Sequence, residues 1–178
     1  MPGLSRDGHL LGDAAPPQRI GRDRSLRALR PHPGAELKKT LRIFSDGASR
    51  GNPGPAGLGV VIEDDQGMRL RGLHRWLGVT TNNEAEYHAL IEGLKAAAEW
   101  KPDRLELYLD SKLVVEQVSG RYKIKKPALQ ALCRKAIELK SSFDEVTVTH
   151  VEREKNKGAD ALANMAIDEH VKKAKSSG

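Results

Sequence analysis

Four acidic residues stand where a soluble protein gains little from a charge. Asp46 closes the apolar run LRIFSD and is followed by the loop GASRGNPGP; Asp110 closes RLELYLD and is followed at once by a helical run. Open α/β sheets take their ligands at the carboxyl edge of the strands, so a carboxylate at that place is well sited for chemistry. If the two strands are adjacent and parallel, the two carboxylates lie side by side. Glu86 emerges from counting helix faces. Positions 86, 90, 93, 94 and 97 read Glu, Leu, Gly, Leu and Ala, the stripe that meets a sheet. Positions 84, 88, 92, 95 and 99 read Glu, His, Glu, Lys and Glu, the solvated stripe. Asp160 falls in the opening turn of the last helical pattern, among Ala159, Leu162 and Ala163.

Each acid alone has an ordinary account. Asp46 suits a turn, Asp110 a helix cap, Glu86 an edge from which it reaches water, and Asp160 the positive end of a helix dipole. Facing one another, four carboxylates repel strongly unless hard cations neutralise them, and an all-oxygen donor set suits Mg²⁺ or Mn²⁺. Such a cluster can hold two ions about 3.5–4 Å apart, the arrangement that activates water and steadies the leaving oxygen of a phosphodiester.

The elements that must position these groups follow from local signals. LRIFSD reads as a strand; GLGVVIEDD and MRLRGLHRWLG read as two more, joined at Gln66-Gly67 as a hairpin. NNEAEYHALIEGLKAAAEW is a helix with Thr81 as its cap and Glu84 completing a capping box, ended by Lys101-Pro102. RLELYLD alternates as a strand, with Leu105, Leu107 and Leu109 on one face. SKLVVEQVSG is a short helix closed by Gly120; a basic link RYKIKK, a helix from Pro127 to about Lys140, a strand at EVTVTHV and a helix near GADALANMAIDEH complete the chain. The order βββαβααβα specifies an α/β fold, and its strand–helix–strand unit requires at least one parallel pair.

Composition narrows the class. With 178 residues, 38 % hydrophobic and 30 % charged, the chain suffices for one domain with a full core. Its longest apolar run, GLGVVI, is too short to span a bilayer, and the N-terminus lacks the apolar segment of a signal peptide. A single cysteine, Cys133, excludes an internal disulfide and a Cys-based zinc site, and it sits in a helical pattern as a small core residue. The cytoplasm is the expected compartment. The net charge of +6 resides in the tails: residues 1–40 carry +4, the last eight residues +3, and the middle −1. Residues 1–38 hold five of the nine prolines and no sustained apolar period, so they are expected to be a disordered extension. Residues 39–170 form the expected domain and 171–178 a basic flexible tail. The stretch RDRSLRALR has the makings of a helical turn or two on a partner.

Four pieces carry a resemblance: SDGASRGNPGPAG at 45–57, TTNNEAEYHAL at 80–90, LYLDS at 107–111 and HVEREKNKGADALAN at 150–164. In their residues, order and spacing the chain resembles the type 1 ribonuclease H family over roughly residues 41–168. The resemblance implies a ribonuclease H-like, five-stranded mixed sheet flanked by helices. It implies a two-metal site that hydrolyses the RNA strand of an RNA–DNA hybrid, leaving 5′-phosphate and 3′-hydroxyl ends. The family's four acids fall on Asp46, Glu86, Asp110 and Asp160, so the resemblance and the face count agree on Glu86. Asn52, Asn82 and Asn83 become candidates for minor-groove contacts where a 2′-OH marks RNA, beside the turn and cap roles that asparagine also fills.

Two features depart from the family pattern. Many members carry a histidine in the loop before the last helix; here that loop, VEREKNKG, has none, and His150 at the preceding strand's end reads as structural. Arg153 resembles the residue of the branch lacking this histidine, which implies a place near the scissile phosphate; a solvated loop cation is the other reading. The long basic protrusion of some bacterial members is absent. RYKIKK stands there instead, offering Arg121, Lys123, Lys125 and Lys126 to DNA-strand phosphates and implying weaker, more salt-sensitive binding. The expectation is a monomeric Mg²⁺- or Mn²⁺-dependent endoribonuclease with no obligate protein partner. A DNA-cleaving enzyme of the same fold and a hybrid-binding module without activity are the rivals.

Overall fold

The computed structural model describes residues 39–177; the extension 1–38, with RDRSLRALR, lies outside the described residues. The elements are β1 (Thr40–Ser49), β2 (Gly54–Asp64), β3 (Arg69–Thr80), α1 (Asn82–Ala98), β4 (Arg104–Leu109), α2 (Lys112–Val118), α3 (Pro127–Lys140), β5 (Glu145–His150) and α4 (Lys157–Ser176). This is the βββαβααβα order read from the sequence. The strands form one mixed sheet in the order β3-β2-β1-β4-β5. β1, β2 and β3 are antiparallel neighbours, whereas β4 joins β1 in parallel and β5 joins β4 in parallel.

Two helices sandwich the sheet, and β2 shows why. Alternate residues of a strand face opposite sides. Leu58, Val60 and Ile62 are buried, and Gly93 of α1 packs onto Val60 and Ile43. On the other face stand Gly57 and Gly59. A Cβ at Gly59 would lie 2.0 Å from the Ala159 carbonyl oxygen, and one at Gly57 2.5 Å from that of Ala163. The backbone of α4 therefore rests directly on β2, through its small buried residues Ala159, Ala163 and Ala166. α1 begins as expected: Thr81 accepts from the Glu84 amide, and Glu84 returns a bond to the Thr81 amide at 3.1 Å. Cys133 is buried with its Sγ 3.8 Å from the Gln117 carbonyl, in the core position expected of it.

Three boundaries differ from expectation. β1 does not stop at Asp46. Its pairing with β4 ends at Ser45–Leu109, but its pairing with β2 continues to Ser49–Ala56, because the hairpin turn lies at residues 50–53. Asp46 is thus interior to one ladder and at the end of the other. A 3-10 turn, Arg153–Lys155, occupies the loop before α4. Finally, α4 runs on to Ser176, so residues 171–176, expected as a flexible tail, are helical; one more turn and a half continues the same i→i−4 ladder. Among the described residues no helix is long and apolar enough to cross a membrane.

Candidate metal centre

The site lies where β1 and β4 part company. Ser45 pairs with Leu109, so the next residues, Asp46 and Asp110, emerge beside each other at the carboxyl edge of the parallel pair. α1 delivers Glu86 to the same place. Its approach depends on Gly47, where a Cβ would lie 2.1 Å from the Ala85 carbonyl carbon. With only hydrogen there, the first turn of α1 closes on β1, and the Gly47 amide donates to Glu86 Oε2 at 3.2 Å. Asp46, Glu86 and Asp110 each direct a carboxylate oxygen to a common point, these oxygens lying within 4.8 Å of one another.

Asp160 joins from the other face of the sheet. It lines the same cleft of about 460 Å³ together with the three clustered acids, Gly47, Ala48, Ser49, Arg50, Asn82, Ser111, Arg153 and Asn164. Asp160 stands outside the tightest group and carries its own cation: Arg153 Nη2 reaches Asp160 Oδ1 at 3.0 Å. The four acids chosen from sequence are therefore brought together in one cleft, three at bonding separation for a shared ion and the fourth at its border.

Electrostatics mark the cluster as incomplete without a cation. Burial, then the charges of Asp110 and Asp160, push Asp46 up to about 8 from 3.8. Glu86 is pushed well above the ordinary carboxylate range by burial and by the charges of Asp46 and Asp110. Both side chains lie within residues only 4 % exposed. Buried carboxylates without a compensating charge are costly. A hard divalent ion supplies that charge, and the donors are all carboxylate oxygens, so the residues present fit Mg²⁺ or Mn²⁺.

The other sequence candidates are placed as follows. Asn52 Oδ1 accepts from the Asn82 amide at 3.2 Å, tying the β1–β2 turn to the start of α1. Asn82 lines the cleft, and Asn83 is half-buried beside it in the first turn. Arg153 also lines the cleft, exposed on its outer side. Lys123, Lys125 and Lys126 are exposed on the α2–α3 link and do not line the cleft. His150 Nε2 donates to the Asp110 carbonyl at 3.2 Å, so the residue read as structural holds the turn that carries an acid. Sequence reasoning missed Gly47 as the gate for Glu86, though its place after Asp46 in the motif was a usable signal. It also missed Asn156, which looks like a helix cap but makes no capping bond.

Known proteins agree with this geometry. Residues 44–166 match the model of the reverse transcriptase-like family. A ribonuclease HI of Halobacterium salinarum is 46 % identical over 130 residues, covering 72 % of this chain and 65 % of that protein. A bifunctional protein of Mycobacterium tuberculosis is 46 % identical over 127 residues, covering 71 % of this chain and 35 % of its own length. The chain thus spans less than two thirds of these relatives. The solved structure of LC11-RNase H1 in complex with an RNA/DNA hybrid is 41 % identical, with a TM-score of 0.70 over 74 % of this chain and 99 % of that one. Matched in sequence over residues 44–166 and in fold over about three quarters of its length, the chain belongs to the type 1 ribonuclease H family.

Proposed function

We propose that this chain is an endoribonuclease that hydrolyses the RNA strand of RNA–DNA hybrids, leaving 5′-phosphate and 3′-hydroxyl ends. The observation that carries the reading is the convergence of Asp46, Glu86 and Asp110 within 4.8 Å, with Asp160 on the wall of the same cleft. These acids would hold Mg²⁺, with Mn²⁺ as a substitute. Bound there, divalent ions supply Lewis-acid activation of water and stabilisation of the leaving oxygen. Asp46 and Asp110, at the parting of the two strands, and Glu86 and Asp160, arriving from opposite faces of the sheet, would supply the carboxylate ligands.

The chain's own residues also suggest how substrate is held. Asn52, Asn82 and Asn83 gather at the α1 N-terminus on the cleft's rim, where amide groups suit the 2′-OH and base edges of a minor groove. Arg153 lies where it can exchange Asp160 for a phosphate near the scissile bond. Lys123, Lys125 and Lys126 stand away from the cleft, in the position of a contact to DNA-strand phosphates. The chain acts as a cytoplasmic monomer without an obligate protein partner in this reading. Residues 1–38 would be an extension, separate from a catalytic unit beginning near residue 39.

The test is cleavage of an end-labelled RNA–DNA hybrid with Mg²⁺, beside RNA–RNA and DNA–DNA duplexes, by wild type and Asp110→Asn. Hybrid-only cleavage that the substitution abolishes is expected. Cleavage of the DNA duplex instead would move the protein to the DNA-cleaving members of the fold. Hybrid binding without cleavage in Mg²⁺ or Mn²⁺ would make it a binding module.

A further inference from the structure

Where β1 outruns β4, Ser45 is the last residue paired with β4, and the Gly47 amide finds no ladder partner there. Alternate residues of a strand turn their backbone groups to the same side, so Ser45 and Gly47 both address the side on which β4 has ended. The Gly47 amide is taken by Glu86, an acid of the cluster. The carbonyl of Ser45, the last residue paired with β4, accepts from Asn156 Nδ2 at 2.9 Å across 111 residues of sequence. Asn156 is 1 % exposed. It precedes α4, and its own carbonyl accepts from the Asp160 amide at 3.1 Å, one helical turn on. Its amide receives no cap duty, since its side chain makes no bond to the helix it precedes.

We infer that Asn156 is a positioning residue that sets the axial register of α4, and so the place of Asp160 opposite Asp46. The packing of α4 explains the need for one. Its contact with β2 sets glycines against the α4 backbone and against the side chains of Leu162, Ala166 and Ile167, packing that lacks the directionality of a hydrogen bond. Its distal half is held by the Trp76–His170 ring stack and by Arg50–Asp168 and His74–Glu169, ion pairs whose side chains are a third to a half exposed and hold position weakly. The buried Asn156–Ser45 bond is short, fixed at both ends, and attached to the residue next to Asp46. Its Oδ1 has no hydrogen-bond partner, and neither has the hydroxyl of the acceptor residue, Ser45 Oγ. Burying an asparagine with half its bonding unmet is unfavourable for stability alone. The donor half must therefore accomplish something that an apolar residue would not.

This rests on the reading of Asp160 as one of the cation-holding acids. The experiment is a double-mutant cycle in the full chain: wild type, Asn156→Asp, Asp160→Asn and the double variant. Each is measured for Mg²⁺-dependent hybrid cleavage, for Mn²⁺ binding by calorimetry and for thermal unfolding. Asn156→Asp keeps the shape but replaces the Nδ2 donor; Asn156→Ser, which retains a small donor, is the rescue. With Asp160 present, Asn156→Asp is expected to lower kcat or cation affinity on the order of 10- to 100-fold, the range for groups that orient ligands. In the Asp160→Asn background the same change is expected to be nearly silent in both readouts, and Asn156→Ser to recover part of the loss. Equal losses in the two backgrounds, or losses that track only the fall in unfolding temperature, would overturn the inference and leave Asn156 a structural tie. If Asp160→Asn itself left cleavage and Mn²⁺ binding intact, the assignment of Asp160 would be the part that failed.

Discussion

Two groups of acids lie on or beside the same pair of strands, β1 and β4, and the chain treats them in opposite ways. In mid-sheet, burial pushes Glu106 up, but the Tyr108 hydroxyl and the guanidinium groups of Arg42 and Arg104 outweigh it and hold the carboxyl below its ordinary value. Arg42 Nε stands 3.2 Å from Glu106, Arg104 Nε 3.2 Å, and Arg104 bridges on to Glu145 at 3.0 Å. At the carboxyl edge, among the described residues, no cation is bonded to Asp46 or Glu86, and both are pushed up instead. The same contrast recurs within one helical turn. Glu84, bonded by Thr80 and Thr81, is held below its usual range, whereas Glu86, two residues on, is held far above it. A carboxylate whose partners are covalently part of the chain is finished on folding. One that is buried without them is finished only by something from outside.

Neutralising one acid of each kind should separate the two groups most clearly. Asp110→Asn removes a carboxylate from the edge cluster, and hybrid cleavage is expected to fall on the order of a thousandfold or more, as the loss of several kcal/mol of transition-state stabilisation would require. Hybrid affinity measured in Ca²⁺ should change little. Glu106→Gln should leave cleavage intact. An activity loss from Glu106→Gln as large as that from Asp110→Asn would erase the distinction between the two groups.

Gly47→Ala probes the approach of Glu86. The added methyl has backbone atoms of Ala85 and Glu86 at 2.1 and 2.2 Å, which neither can vacate without moving the first turn of α1. A loss of about 3 kcal/mol or more in chemical unfolding is expected, as for severe overpacking. Unchanged stability would show that α1 yields readily and that the close approach does not secure Glu86.

pH distinguishes the groups by sign. In the cation-free protein Asp46 titrates near 8 when folded and near 3.8 when unfolded, so between those values the folded chain holds a proton that the unfolded chain has lost. Its contribution to stability is therefore greatest below the unfolded value and is lost as pH rises toward 8. Glu106, whose folded value is lowered, contributes stability above its unfolded value of 4.5 that is lost as pH falls. Thermal unfolding in EDTA from pH 4 to 9 should show Asp46→Asn flattening the alkaline decline, with a stabilisation on the order of 1–3 kcal/mol at pH 8. Mg²⁺ should raise the wild-type midpoint more at pH 8 than at pH 6, because binding displaces the proton. An Asp46→Asn variant that declined as steeply as wild type would remove the physical basis for an unfinished site.

The smallest effects belong to Glu106→Gln and to the link lysines. Glu106→Gln should cost about 1 kcal/mol, the range of a partly exposed ion pair within a network, with the loss appearing above pH 5. Lys123→Ala, Lys125→Ala and Lys126→Ala together should weaken hybrid binding and flatten its dependence on salt by roughly one to three counterions, with kcat at saturating substrate unchanged. A salt slope equal to that of wild type would place the DNA strand elsewhere.

Much of this molecule was legible along the chain. The capping box at Thr81, the proline that opens α3 at Pro127, and the strict alternation of β4 are signals complete within a few residues, and those elements appear where they were read. The choice of Glu86 over Glu84 needed only the period of a helix, since a stripe of Leu90, Gly93, Leu94 and Ala97 declares which side is buried. The strand–helix–strand order required a parallel pair, but that β1 and β4 form it, and so bring Asp46 beside Asp110, stood only as a condition until the sheet met it. What the sequence left open depends on partners far away in it. β1 continues past Asp46 because β2, turning back at residues 50–53, supplies a ladder for Gly47 through Ser49. The Gly47 amide waits for Glu86, 39 residues on, and the Ser45 carbonyl for Asn156, 111 residues on. No local pattern encodes such bonds, because each is made by a side chain whose own segment would read the same without it. Residue types and spacing determined which acids the chain offers; only the closing of α1 and α4 onto opposite faces of β1 decided that they meet, which of them are stripped of water, and which one arrives already paired.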